Sequence, residues 1–192
     1  MKNVKALSDE ELVQLVRSSD QELYGEVVKR YQDKLMRYAT NLVRDEDKAA
    51  DIIQGAFIKA FINLKGFNTK KKFSSWIYRI VHNEAINFIK KHKKETSLEA
   101  SEWTEKIIDD KENVERNFDR KEANKMISAC LNELPFKYQE PLILYYLEEK
   151  TYEEISDVLR LPMGTVGTRI NRGKKMMRVI FQKKGGEAYV KS

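Results

Sequence analysis

Residues 151–181 read TYEEISDVLRLPMGTVGTRINRGKKMMRVIF, and this stretch decides the fold of the C-terminal part of the chain. Residues 151–154 (TYEE) form a capping-box pattern, in which a Thr and a Glu three positions later satisfy each other's backbone amides at the start of a helix. Residues 161–164 (LPMG) then turn the chain, and a final helix is predicted from Thr165 to about Phe181. Two helices joined by such a short turn predict a helix-turn-helix.

The outer side of the final helix is basic. A helix-turn-helix places its second helix in the major groove of DNA, where side chains reach the base edges. Val166 and Ile170 are four residues apart and should face the core, together with Met177 and Phe181. An ordinary basic surface helix is the alternative interpretation. The polar residues of this helix are Thr168, Arg169, Asn171, Arg172, Lys174, Lys175 and Arg178.

The distribution of charge along the chain also indicates binding to nucleic acid. The 192 residues carry a formal net charge of +6. Residues 65–94 contain nine bases and one acid, residues 95–122 contain ten acids and five bases, and residues 164–184 contain seven bases and no acid. This order indicates two regions that bind a polyanion, with a segment between them that cannot, and nucleic acid is the leading partner class. The alternative is a set of solvated helix faces.

The composition indicates a helical protein. Only 8 Gly and 3 Pro argue against a β-sandwich or barrel, and 34% charged residues suit modest helical cores under charged surfaces. The single cysteine, Cys130, excludes an intramolecular disulfide framework and should be a packed core thiol. No apolar run approaches the roughly 20 residues of a membrane span. We therefore expect a soluble, cytoplasmic protein.

Helical periodicity predicts four helices in the N-terminal part. A capping box at residues 8–11 (SDEE) begins the first, which runs to about Arg17. The others are expected at about 21–44, 48–64 and 75–91. The third should bury Ile53, Phe57, Ala60, Phe61 and Leu64, and the fourth Ile77, Ile80, Val81, Ala85 and Phe88.

The resulting prediction is an all-α fold of two small helical domains joined by an acidic linker. The N-terminal domain is expected over residues 1–94, the linker over 95–117, and the C-terminal domain with the helix-turn-helix over 118–192. A helix with Pro141 in its first turn is predicted at about 138–148. The linker could fold onto either basic domain and mask it, with Trp103 burying its ring; a solvated tether is the alternative.

Aromatic and basic residues alternate around the fourth helix. Phe73, Trp76 and Tyr78 lie among Arg79 and the lysines at 70–72. Rings stack on unpaired bases and lysines follow phosphates, which is how single strands are held. In the alternative interpretation, Phe73 and Trp76 are core residues.

Asp51 and Gln54, three residues apart, share a face of the third helix that is not its apolar stripe. They can offer a carboxylate and an amide to a partner protein, or they can simply be solvated.

No catalytic site is predicted. His82 and His92 are ten residues apart, with no ligand at metal-binding spacing, and no phosphate-binding glycine loop or nucleophile elbow occurs. We therefore expect no enzyme activity, no metal and no cofactor.

Three ordered stretches carry a family resemblance. They are residues 49–57 (AADIIQGAF), residues 73–83 (FSSWIYRIVHN), and in the C-terminal part residues 131–135 (LNELP), 151–156 (TYEEIS) and 164–166 (GTV). The chain resembles the bacterial sigma factors of the extracytoplasmic-function (ECF) group, in the sigma-70-type family.

The resemblance implies a non-catalytic specificity subunit of RNA polymerase that docks on the clamp and flap of the core enzyme. The resemblance also implies regulation by an anti-sigma factor. The implied polymerase-docking residues are Asp51, Ile52, Gln54 and Gly55. Those implied for the melted minus-ten strand are Lys70, Lys71, Lys72, Phe73, Trp76, Arg79 and Asn83. Those implied for the minus-thirty-five duplex are Thr165, Thr168, Arg169, Asn171, Arg172 and Lys175.

Three glycines depart from the family pattern. Gly55 stands where the family often has an acidic residue, which puts one polar contact to the polymerase clamp in doubt. Gly167 and Gly173 are expected to loosen the final helix, since each Gly costs about 1 kcal/mol relative to Ala. Two other functions remain open: a stand-alone helix-turn-helix regulator, and an adaptor that binds polymerase without reading DNA.

Overall fold

Every regular secondary-structure element in the described part of the chain is a helix. The computed structural model describes residues 4–96 and 126–184, and no β-strand occurs among them. The N-terminal helices are α1 (Asp9–Ser18), α2 (Tyr24–Val43), α3 (Glu46–Asn63) and α4 (Phe73–Thr96). The C-terminal helices are α5 (126–132), α6 (Phe136–Leu142), α7 (Tyr152–Leu159) and α8 (Met163–Lys183). The all-α prediction is confirmed.

The chain divides into two compact units. The N-terminal unit contains α1–α4, and the C-terminal unit contains α5, α6, α8 and most of α7. None of the helices in the described ranges is long and apolar enough to be a membrane span.

Both predicted capping boxes are present. Glu11 N donates to Ser8 Oγ over 3.2 Å, and Ser8 N donates to the Glu11 carboxylate over 2.9 Å. The same pair of bonds joins Thr151 and Glu154, at 3.2 and 2.9 Å. These bonds satisfy amides that have no partner within the helix, and they fix where α1 and α7 begin.

The core of the N-terminal unit lies between α2, α3 and α4, and its largest fully buried side chains include Tyr38, Tyr78 and Phe73. Phe61 was expected in this core but is 40% exposed, with its ring 4.9 Å from that of Tyr24. The reason is that the buried stripe of α3 also includes Ala49, Ile52 and Ala56, which shifts its centre and leaves Phe61 at its edge. Ile80 and Phe88 are half-buried rather than buried.

Helix α4 is longer than predicted. It ends at Thr96, so the first two residues of the predicted linker are helical. The rest of that linker, including Trp103 and the acids around it, lies outside the described residues, and so does the proposed masking contact. The domain boundaries stay predictions.

The core of the C-terminal unit includes Cys130, which is fully buried as predicted; burial raises the pKa of its thiol. The helix predicted at about 138–148 is different in the structure. Helix α6 begins at Phe136, so Pro141 lies beyond its first turn, and a π-helical segment, Ile143–Leu147, follows directly. A proline inside a helix removes one backbone hydrogen bond and crowds the preceding turn, so the regular α pattern ends soon after it.

Helix α8 is continuous from Met163 to Lys183 despite its glycines, and Val166, Ile170 and Gly173 form its buried side. Gly173 packs against Leu142 and Tyr138 of α6. The expected loosening at this position is therefore offset by close helix packing.

Candidate nucleic-acid and polymerase interfaces

One face of α4 carries the polar residues predicted to meet a single strand. Trp76, Arg79 and Asn83 follow each other at spacings of three and four residues, which places them on one side of α4, and Lys72 directly precedes the helix. Asn83 is exposed, while Trp76 and Arg79 are half-buried. Ile77, Val81 and Ala85 lie on the other side and are fully buried. Packing of this apolar side into the core therefore fixes the orientation of the polar side of α4.

The loop before α4 presents the three predicted lysines. Lys70, Lys71 and Lys72 are all exposed. Asn68 shapes this loop, since its side-chain oxygen accepts from Lys70 N at 3.0 Å and its carbonyl accepts from Lys71 N at 2.9 Å. Exposed ammonium groups on a shaped loop suit contacts to phosphates.

Two of the three aromatics predicted to stack on bases cannot do so in this conformation. Phe73 is 0% exposed and Tyr78 is 1% exposed. The Phe73 ring lies 5.6 Å from that of Tyr31 and 5.4 Å from that of Phe67, and this enclosure leaves no ring face for a base. Phe73 is therefore a core residue, and its assignment to the single-strand site is corrected.

Trp76 differs from them because it lies at the edge of this cluster. Its ring centroid is 5.2 Å from that of Phe67 and 5.5 Å from that of Phe73, yet the residue keeps partial exposure. An indole that packs against two other rings and keeps partial exposure is suited to stacking on an unpaired base.

His82, on the same helix, belongs to the core. It is 8% exposed, and its Nδ1 lies 3.0 Å from the hydroxyl oxygen of Tyr38. Burial lowers the pKa of His82 to about 4, so the ring is neutral at pH 7. Among residues 4–96 and 126–184, no cluster of three or more His, Cys, Asp or Glu side chains could hold a metal ion.

The predicted docking face on α3 is largely exposed. Asp51, Gln54 and Gly55 are exposed, and the Asp51 carboxylate lies 3.9 Å from the ammonium group of Lys48. Ile52 is different, since it is only 8% exposed and packs into the core. The assignment of Ile52 to the docking surface is corrected, because its side chain can contribute little contact area to a partner.

Helix α8 presents the predicted duplex-reading residues. Thr168, Asn171, Arg172 and Lys175 are exposed, and Thr165 and Arg169 are half-buried. The Thr168 hydroxyl donates to the carbonyl of Gly164 over 2.8 Å, which fixes its side chain and leaves its oxygen able to accept. The helix starts two residues earlier than predicted, at Met163.

A cleft of about 380 Å³ lies between α6 and the first turns of α8. Its α8 side consists of Gly164, Thr165, Thr168, Arg169 and Arg172, and its α6 side consists of Lys137 and Tyr138. A side-chain hydrogen bond from Arg172 lowers the pKa of Tyr138. The sequence analysis did not identify Lys137 and Tyr138. The available signal was a basic and an aromatic residue two and three positions after Pro135, at the start of a helix that precedes a helix-turn-helix.

Glu140 lies beneath this surface. It is 8% exposed, and burial raises the pKa of its carboxyl group to about 7, while the positive charge of Arg169 acts in the opposite direction. Arg169 is therefore electrostatically coupled to the interior of its own unit as well as to the outer face of α8.

Comparison with known proteins identifies both units. The family profile of Sigma-70 region 2 matches residues 27–95, and that of Sigma-70 region 4 matches residues 124–177. The ECF RNA polymerase sigma factor SigW of Bacillus subtilis is 34% identical over 173 residues, covering 86% of this chain and 92% of that protein. The ECF RNA polymerase sigma-E factor of Haemophilus influenzae is 30% identical over 184 residues, covering 89% and 94%.

Solved structures share the fold. CnrH in complex with the cytosolic domain of CnrY has a TM-score of 0.69 at 20% identity, covering 91% of this chain and 97% of that one. The sigma factor RpoE of Bartonella quintana, in complex with the anti-sigma factor NepR, has a TM-score of 0.71 at 19% identity, covering 83% and 96%.

Proposed function

Since this chain belongs to the ECF sigma factors of the sigma-70 family, we propose that it reads a promoter in two physical states, the minus-thirty-five element as duplex and the minus-ten element as melted single strand. As a member of that family it is a non-catalytic specificity subunit that serves transcription initiation by RNA polymerase. The division of promoter reading between its two units is the finer proposal.

The N-terminal unit is assigned the melted strand. The observation that carries this assignment is the partly exposed Trp76, which packs against the rings of Phe67 and Phe73 and lies four residues after the last of three exposed lysines. Unstacking a base costs a few kcal/mol, and stacking on an aromatic side chain returns about 1–3 kcal/mol. Lys70, Lys71, Lys72, Arg79 and Asn83 then hold the backbone and base edges.

The C-terminal unit is assigned the duplex. Exposed Arg172, Asn171 and Thr168 on one face of α8 provide the donors and acceptors that read base edges in the major groove. Lys137 and Tyr138, across the cleft, are suited to the neighbouring phosphates.

Two protein partners complete the proposal. Core RNA polymerase binds the exposed face around Asp51, Gln54 and Gly55 on α3, and the flap of the enzyme binds the C-terminal unit. An anti-sigma factor regulates the protein, as the complexes of CnrH with CnrY and of RpoE with NepR suggest. We place this activity in the cytoplasm, where bacterial polymerase works.

The test is promoter-directed transcription by core polymerase supplied with the purified chain. Templates selected from a library of random promoters would define both elements. A template whose minus-ten segment is already unpaired should restore little transcription to the Trp76→Ala variant, because the captured strand has lost its stacking partner. The same unpaired segment should restore transcription by the unmodified protein from a promoter whose minus-ten duplex melts poorly. Transcription that needs no minus-ten sequence would overturn the single-strand assignment.

A further inference from the structure

The polar face of α1 contacts the loop that carries the lysines. Glu10, Gln14 and Arg17 are separated by four and three residues, so they lie along one side of the helix. Leu12, Val13 and Val16 occupy the opposite side and are buried. Each of the three polar side chains contacts a different part of the segment between α3 and α4.

Arg17 holds the start of the loop. Its Nη1 donates to the carbonyl of Phe67 over 3.0 Å, and its Nη2 donates to the carbonyl of Lys65 over 2.9 Å. A planar guanidinium can make both bonds at once in a fixed geometry, which an ammonium group cannot reproduce.

Glu10 holds the end of the loop. Its Oε1 accepts from the amide of Phe73, the first residue of α4, over 2.8 Å. The first amides of a helix have no partner within it and attract negative charge, so the bond fixes where α4 begins. Between the two ends, Gln14 Nε2 lies 3.5 Å from the hydroxyl oxygen of Thr69.

The contact of Arg17 reaches the stacking surface as well as the lysines. It bonds the carbonyl of Phe67, and the ring of Phe67 lies 5.2 Å from the ring of Trp76. One side chain on α1 therefore fixes both the path of the basic loop and the residue on which Trp76 rests.

We propose that Arg17 is a positioning residue for promoter melting: it holds the lysine loop and the Phe67 support of Trp76 in the shape that receives an unpaired DNA strand. The inference rests on the proposed function, in which this loop and Trp76 bind the melted minus-ten strand. Ordering a loop before it binds lowers the entropy cost of binding, so losing Arg17 should weaken capture of the strand without any direct contact between Arg17 and DNA being required.

The experiment uses the full chain bound to core RNA polymerase and a labelled promoter fragment that lacks the minus-thirty-five element and has its minus-ten segment unpaired. Arg17→Ala should raise the Kd for this fragment about tenfold, as expected for two lost charge-assisted hydrogen bonds. Arg17→Lys keeps the positive charge but not the two-pronged geometry, so it should raise the Kd nearly as much. Full rescue by lysine would mean that the charge acts on DNA directly, and would overturn the proposal.

Arg30→Ala is the matched control. Arg30 also donates to two backbone carbonyls, those of Leu7 and Val4, each over 2.9 Å, and it pairs with Asp9 and Glu26 as well, but none of these contacts reaches the lysine loop. The Kd of the Arg30→Ala variant should stay within about twofold of that of the unmodified protein, although its loss of thermal stability is at least as large. An equal rise of the Kd for both variants would reduce the role of Arg17 to general stability and overturn the proposal.

A double-mutant cycle separates this inference from the function on which it rests. Lys70→Ala, Lys71→Ala and Lys72→Ala are combined, with and without Arg17→Ala. If Arg17 acts through the loop, the combined loss is clearly smaller than the sum of the separate losses. The inference alone is overturned if the losses of affinity are additive, or if the lysine variant raises the Kd and Arg17→Ala does not. An unchanged Kd for the lysine variant overturns the proposed single-strand site, and this inference with it.

Discussion

Gly173 of α8 lies so close to Leu142 of α6 that a Cβ atom on residue 173 would come within 2.8 Å of Leu142 Cδ1. The same atom would lie 3.2 Å from Leu142 Cγ and 3.3 Å from Tyr138 Cβ. Leu142 is 1% exposed, so its side chain has little room to move away. The absence of a side chain at this position sets how closely α8 approaches the rest of its unit.

Gly173→Ala should therefore destabilise the C-terminal unit, although alanine favours helices by about 1 kcal/mol. Overpacking a buried contact typically costs 1–3 kcal/mol, which outweighs the gain in propensity. Gly167→Ala is the control on the same helix, since its Cβ would meet the Tyr152 ring at an ordinary 3.4 Å, and it should be neutral or stabilising. Thermal unfolding checks both, and a stabilised Gly173→Ala variant would contradict the packing argument.

Arg172→Ala should weaken binding to the minus-thirty-five duplex by about 1–3 kcal/mol and relax its sequence preference, as the loss of a base-edge contact does. Lys175→Ala should instead weaken cognate and scrambled duplexes alike and reduce the salt dependence, as the loss of a phosphate contact does. Fluorescence anisotropy over a salt series measures both. Identical behaviour of the two variants on both duplexes would show that α8 does not read bases.

Asp51→Ala and Gln54→Ala should weaken binding to core polymerase while changing the free energy of unfolding by less than about 0.5 kcal/mol, because both side chains are exposed. Phe57→Ala and Ile52→Ala, both at 8% exposure, should lower the free energy of unfolding by roughly 2–5 kcal/mol. Denaturant unfolding and titration with labelled polymerase separate the two groups. The docking face would be misassigned if Asp51→Ala and Gln54→Ala unfolded the domain and left polymerase affinity intact.

The N-terminal unit should lose stability as the pH falls from about 6.5 to about 4. The pKa of buried His82 is lowered to about 4 in the folded chain, from 6.5 when unfolded. In this window the unfolded state binds more protons, so the free energy of unfolding falls on acidification, with a limiting slope of about 1.4 kcal/mol per pH unit. Hydrogen exchange of α2 and α4, corrected for its intrinsic pH dependence, measures the slope. His82→Asn should flatten it, and an unchanged slope would exclude His82 as its source.

The C-terminal unit should respond in the opposite direction because of Glu140. Its pKa is raised to about 7 from 4.5, so between these values the folded state holds more protons than the unfolded one. The Glu140 contribution to stability is present below about pH 4.5 and is lost as the pH rises through about 7. Glu140→Gln should remove this pH-dependent contribution to stability, which hydrogen exchange of α6 and α8 measures. A variant with the original pH dependence would contradict the assignment.

The sequence predicted the features that depend on neighbouring residues. The capping boxes at Ser8 and Thr151 and the short turn before α8 need only residues within one helical turn of each other. The sequence did not predict which aromatics around α4 are buried, because Phe73, Trp76 and Tyr78 are all plausible on either side of a helix. Their exposure depends on ring contacts with Tyr31, Tyr38 and Phe67, which lie outside α4.

Contacts between distant residues explain the remaining differences. Arg17 and Phe67 are 50 residues apart, and nothing local in either segment indicates their hydrogen bond. The buried stripe of α3 could be found by periodicity, but its centre depends on how α2 and α4 pack against it, which decided the exposure of Phe61 and the burial of Ile52.

The packing of Trp76 against Phe67 and Phe73 has a consequence for the rate at which a base can be bound after it leaves the duplex. An indole that already contacts two rings of its own domain has given up part of its conformational freedom before the base arrives. Spontaneous opening of base pairs is brief, so a receptor that had to reorganise first would miss most openings. If this surface receives the melted strand as proposed, a preformed receptor can bind the base during the opening itself, and it would favour promoter sequences that open often over those that bind most tightly when closed.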